Sequence, residues 1–254
     1  MLAPILTIAR YTLLEALRNR LLWVLAVIAL AALGLSGFLH AVALTESRQL
    51  QAALLAALLR LSAVFLIATF VVTSMAREAH DKGSELLLAL PLPRAAYLLG
   101  KLGGFCLLAL LPALLFGALG LFFAPPAQAA LWGTSLLCEL WLVAGFALLC
   151  MFTLNHVLPA LAATLGFYLL ARSVAALQLI GQHSGAADAG QRAIAAGMDL
   201  LALVLPTLDR FTRSEWLVYH DGSWRQLAVV LGQTAVYLLL LAAAALFDLY
   251  RKEF

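Results

Sequence analysis

The chain has 254 residues, of which 65% are hydrophobic and only 11% are Asp, Glu, Lys or Arg, with a formal net charge of +3. Soluble domains carry roughly 25% charged residues, so the composition excludes a soluble globule and predicts an all-α polytopic membrane protein built from crossings of about 20 residues each. The small charge, with no lysine or arginine cluster to meet a row of phosphates, excludes a nucleic-acid partner.

Residues 4–20 read as a short amphipathic helix. Leu6, Ala9, Leu13, Ala16 and Leu17 recur at helical spacing, with Thr7, Arg10, Glu15 and Arg18 on the other side and Arg20 just beyond. This pattern predicts a helix lying in the inner interface, the alternative being a first crossing that starts early. Leu21 to Leu44 holds no formal charge; it spans roughly 36 Å as a helix, too long for a signal-peptide core and long enough to cross. The second crossing, 52–76, is interrupted only by Arg60. The uncharged run from Leu102 to Cys138 exceeds one span and breaks at Pro125-Pro126, which places crossings at 102–124 and 129–154. A further break at Asn155-His156 starts the fifth at 157–180, with Pro159 in its first turn, and the sixth runs 226–247.

The basic residues set the expected orientation. Arg10, Arg18, Arg20, Arg77, Lys82, Arg94, Lys101, Arg251 and Lys252 fall on one side, which predicts both termini in the cytoplasm and a cytoplasmic loop at 77–101. The long segment 181–225 then lies outside. Within it, Ile194–Leu205 is apolar but too short to span, so it reads as a re-entrant or surface helix before the last crossing. Trp216, Tyr219 and Trp224 suit a membrane–water boundary, facing outward.

Three ionisable residues interrupt the apolar runs. Glu139, Arg172 and Arg60 each lie roughly 12–15 Å below the expected outer surface, so they can meet. Each costs of order 2–3 kcal/mol near mid-bilayer unless paired or hydrated. Two readings stay open: an ion pair joining the fourth and fifth crossings while Arg60 snorkels outward, or a polar lining to a substrate path. Elsewhere the chemistry is sparse. Cys106, Cys138 and Cys150 lie in apolar runs without C-x-x-C spacing, the five histidines have no ligand spacing, and no Walker A or G-x-G-x-x-G sequence is present. No metal site, resident cofactor or catalytic residue is therefore expected in this chain.

The densest run of charge is Arg77-Glu78-Ala79-His80-Asp81-Lys82-Gly83-Ser84-Glu85-Leu86-Leu87-Leu88-Ala89-Leu90-Pro91, followed by Arg94, Tyr97, Gly100 and Lys101. A short apolar helix at 84–90 on a water-facing loop needs an interface or a partner to pack against. This pattern resembles the region between the second and third crossings in permease subunits of the type-2 family of ABC exporters. The stretch ending Glu15-Ala16-Leu17-Arg18-Asn19-Arg20 resembles that family's N-terminal elbow helix. Leu205-Pro206-Thr207-Leu208-Asp209-Arg210-Phe211 is similar to permeases associated with multicopper-enzyme and nitrous-oxide-reductase maturation.

The resemblance implies a bacterial inner-membrane protein that is not itself an enzyme. Two permeases would pair, most simply as a homodimer in the lipid bilayer. Two copies of a separate ABC ATPase, which hold the ATP and magnesium, would dock through Glu78, Gly83, Glu85, Leu86, Leu87, Pro91, Arg94, Tyr97 and Lys101. The function implied is export of an amphipathic substrate. A second reading is a mechanical transmitter that drives a periplasmic protein held near Asp209, Trp216, Tyr219 and Trp224, and a third is an intramembrane enzyme or structural six-helix protein.

Overall fold

The computed structural model describes residues 2–42, 47–81, 93–183, 197, 201 and 204–251. Among these residues all regular structure is helical: α1 (Leu2–Arg18), α2 (Leu21–Val42), α3 (Ser47–His80), α4 (Arg94–Gly120), α5 (Pro126–Leu154), α6 (Val157–His183), a 3₁₀ turn (Leu208–Arg210), α7 (Glu215–Val218) and α8 (Trp224–Arg251). Five helices, α3 to α6 and α8, are long and apolar enough to cross a membrane. The number is six if α1 and α2, bent by 57° at their junction, form one broken span. This is the architecture of a multi-pass helical membrane protein.

The helices run past the apolar stretches that announce them. α3 covers Ser47–His80 rather than 52–76, and α8 covers Trp224–Arg251 rather than 226–247. α4 begins at Arg94, not Leu102, because Pro93 stands in extended conformation (φ −65°) just before it and the charges in its first turns find partners. The expected loop at 77–101 is correspondingly shorter. Its residues 82–92, including the expected apolar helix, lie outside the described residues. So do residues 43 and 44 and most of 194–205. The break between α4 and α5 is a turn at Leu121–Ala124 closed by backbone bonds to Ala118, Leu119 and Gly120, after which Pro125 and Pro126 start α5. At the far end of α5, Asn155 adopts a left-handed conformation (φ 56°) and its amide bonds back to Met151, which lets the chain reverse into α6.

α1 packs along α4, and glycines set the distance. A Cβ added at Gly104 would lie 2.7 Å from the Thr12 Cβ, and one at Gly100 would lie 2.8 Å from the Ile8 Cβ. Only glycine at these positions admits so close an approach. The buried stripe of α1 is Ala9, Thr12 and Ala16; of the expected face, Ala9 and Ala16 are buried and Leu13 packs on the core, whereas Leu6 and Leu17 face out. β-Branched Ile8 and Thr12 sit directly on the two glycines of α4. A second close contact joins α4 to α5, where a Cβ at Gly117 would lie 3.3 Å from the Gly133 Cα. α5 is the axis of the bundle, with Trp132, Leu136, Glu139, Leu140, Val143 and Ala147 wholly buried. Helix α8 packs at the periphery and leaves most of its surface exposed.

Candidate functional site

The structure brings Glu139, Arg172 and Arg60 together from α5, α6 and α3, and it supplies a partner that their positions alone did not indicate. That partner is the segment 208–212, whose 3₁₀ turn packs against α6. Glu139 is wholly buried, and Arg172 Nη1 donates to its Oε1 at 3.2 Å. The same guanidinium nitrogen lies 2.7 Å from the Leu208 carbonyl, 3.0 Å from that of Phe211 and 3.4 Å from the Thr212 hydroxyl. The Thr212 hydroxyl in turn donates to Glu139 Oε2. The Thr212 amide donates to Ser135 Oγ at 2.9 Å, and Arg60 Nη1 donates to the Thr212 carbonyl at 3.2 Å.

Arg60 thus points at a backbone oxygen of the segment and does not snorkel to the surface. The arithmetic of charge explains why. Two guanidinium groups and one carboxylate leave one positive charge in a low-dielectric setting, and the carbonyl dipoles of residues 208, 211 and 212 are set against it. Without the segment the cluster lacks its negative ends, and without the cluster these carbonyls lose their donors. The arrangement is a clasp, closed around Glu139. Thr212 sits at φ 40°, a conformation that is unfavourable for a side-chain-bearing residue, and three of its polar groups are bonded.

Further ties extend the clasp along the same stretch. Gln128 on α5 both donates to the Gly222 carbonyl at 3.0 Å and accepts from its amide at 3.1 Å. Thr207 bonds Gln233 of α8 at 3.0 Å. Leu208, Phe211, Trp216 and Leu217 are buried beneath it. The expectation that Trp216 faces outward is thereby corrected: its ring fills the core under Gly222, whereas Tyr219 and Trp224 are exposed. Asp209 is half-buried.

A second polar group lies near the carboxyl-terminal end of α3. Glu78 and Arg60 are separated by eighteen positions, about 27 Å along a helix. Glu78 forms an ion pair with Lys101 of α4, both nearly buried, and accepts from the Tyr97 hydroxyl at 3.1 Å. Glu15 of α1 accepts from Ser74 Oγ at 3.0 Å and Arg77 Nη2 at 3.1 Å. Arg94 donates to the Leu249 carbonyl at 2.8 Å and lies 5.9 Å from the centre of the Tyr250 ring, so it stands at the carboxyl end of α8, where a cation is favoured. Thr153 of α5 bonds Asp248 of α8. The helix ends on both sides of residues 82–92 are thus joined to one another and to α1 and α8. Gly83, Glu85, Leu86, Leu87 and Pro91 lie outside the described residues. Arg10, Arg18 and Arg20 are exposed.

Ser135, Thr212 and Gln128 are among the polar partners that the sequence pattern does not single out. Ser135 stands four positions before Glu139, on the same helix face, which is the one signal that could have marked it. Among the described residues no group of three or more His, Cys, Asp or Glu side chains is arranged to hold a metal ion. No protein-family model matches the chain, and no curated protein matches it.

Proposed function

We propose that the chain is the permease half of an ATP-driven exporter of the ABC type-2 class, with its termini and residues 77–101 in the cytoplasm. Two copies pair in the membrane, a separate ATPase binds the 77–101 region, and the cycle moves an amphipathic substrate outward. The observation that carries the reading is the frame around that region. Glu78, Tyr97 and Lys101 join α3 to α4, Glu15 joins α1 to α3, and Arg94 joins α4 to the end of α8. A force applied to the enclosed residues by a docked ATPase is shared at once by four helices.

The test is co-purification of the full-length chain with its ATP-binding subunit. Glu85→Arg and Leu87→Asp are expected to abolish recovery of the ATPase while leaving membrane insertion intact. Recovery of no ATPase with the unaltered chain, or undiminished recovery with both variants, overturns the reading.

A second reading is favoured by one observation, the clasp. Because residues 207–222 are fastened to α3, α5, α6 and α8, a motion of the bundle is carried into them. A chain of this kind drives an extracytoplasmic partner, in keeping with the resemblance to metalloenzyme-maturation permeases. Photo-cross-linking from the exposed Tyr219 and Trp224 positions separates the two readings. Capture of one defined extracytoplasmic protein supports transmission, and capture of lipid alone removes it.

A further inference from the structure

Beside the clasp, at the amino-terminal end of α3, is a cavity of about 470 Å³ that neither polar cluster uses. Its lining is mixed: one part is apolar, formed by Leu33 of α2, Phe122 and Phe123 of the α4–α5 turn and Leu217 of α7, and the rest is polar, with Ser36, Gln49 and Gln51. Gln51 lies in its lining and is almost completely buried, yet its side-chain amide nitrogen finds no hydrogen-bond partner among the described residues. A buried donor left unsatisfied costs free energy unless a further molecule accepts from it. Arg48, also in the lining, is exposed and makes no ion pair among the described residues, and the exposed His220 lines the cavity too. Among the described residues no acidic side chain lines the cavity.

We infer that this cavity binds an anionic amphiphile. The acidic headgroup lies between the Gln51 amide and the Arg48 guanidinium, and the apolar chain lies against Phe122, Leu33 and Leu217. The chemistry follows from the parts. An unsatisfied amide N–H calls for an acceptor, a lone guanidinium beside it calls for negative charge, and four large apolar side chains call for hydrocarbon. An uncharged polar solute leaves Arg48 without a counter-charge, and a bare anion leaves the apolar part of the lining facing water. This inference stands independently of ATP coupling, since it needs only that the chain be embedded in a bilayer.

The test uses the full-length protein, stripped of endogenous lipid and exchanged into uncharged detergent. Dioleoylphosphatidylglycerol, dioleoylphosphatidylcholine and inorganic phosphate are the probes, with retained molecules counted by native mass spectrometry. One phosphatidylglycerol is expected to bind at least about tenfold more tightly than phosphatidylcholine. Arg48→Glu, a change at an exposed position, is expected to erase that preference, and Gln51→Leu to weaken retention by about tenfold. Arg251→Gln, at an exposed arginine at the end of α8, is expected to change neither. Equal retention of both lipids by the unaltered protein, or an unchanged preference in Arg48→Glu, overturns the proposal. Binding of inorganic phosphate as tight as that of phosphatidylglycerol overturns it too, by assigning the site to a free anion. Should Gln51→Leu fail to fold, the Arg48→Glu arm decides alone.

Discussion

Neutralising Glu139 gives the most direct measure of the clasp. In Glu139→Gln the new amide keeps an acceptor for the Thr212 hydroxyl but removes the charge opposite Arg172, whose nearest nitrogen lies at 3.2 Å. At an effective dielectric of about 20 that attraction is about 5 kcal/mol before desolvation is charged against it. Arg172 retains the Leu208 and Phe211 carbonyls, so the net loss is expected at about 2–3 kcal/mol. Arg172→Gln does more harm, about 3–5 kcal/mol, because it leaves a wholly buried carboxylate beside two carbonyls that have lost their donor. The double variant removes both charges together and is expected to cost no more than Arg172→Gln alone. The difference from additivity is then about 2–3 kcal/mol, well above the spread of independent sites. Reversible unfolding in mixed detergent, followed by tryptophan fluorescence, reads all four proteins. Additivity within about 0.5 kcal/mol would refute the reasoning.

Three further outcomes follow from other contacts. Gly104→Val forces a side chain into the seat of Thr12 and is expected to cost about 1–3 kcal/mol, whereas Gly103→Ala, whose Cβ would meet its nearest neighbour at 3.9 Å, is expected to be tolerated; thermal unfolding of the pair checks both. Trp216→Ala empties a buried site and is expected to cost about 3–5 kcal/mol, against less than about 0.5 kcal/mol for the exposed Trp224→Ala, so equal melting temperatures would contradict the placement of the two rings. Lys101→Met leaves Glu78 nearly buried without its cation and is expected to cost about 3 kcal/mol; the double variant Glu78→Gln, Lys101→Met is expected to recover part of that loss, which a thermal melt measures.

Much of this architecture is legible in the residues because the bilayer imposes lengths on apolar runs. Apolar stretches of the right size announce α3 to α6 and α8, and counting positions from their ends places Glu139, Arg172 and Arg60 at one depth. What completes the cluster is not legible in the same way. Its missing ends are the main-chain oxygens of residues 208, 211 and 212, which every residue possesses and no side chain advertises. Trp216 misleads for a related reason. An indole suits a boundary and a core equally well, and only Gly222 closing over it decides for the core. In α1 the helical spacing marks Ala9, Leu13 and Ala16 on the packed side, but the close approach to Gly104 also seats Thr12 there and leaves Leu6 and Leu17 exposed.

The thirty-four residues of α3 contain neither glycine nor proline, unlike α4, which carries Pro112. A helix without those residues has no built-in point of weakness, so it behaves as a stiff strut about 51 Å long. Arg60 and Glu78 are both mounted on it. A rotation of only about 5° around the Glu78 end would carry Arg60 sideways by about 2.4 Å, far enough to break a hydrogen bond. The 3.2 Å contact to Thr212 is therefore sensitive to tilt: because Arg60 and Glu78 ride on one stiff helix, any tilt of α3 about its Glu78 end would be read out at the clasp.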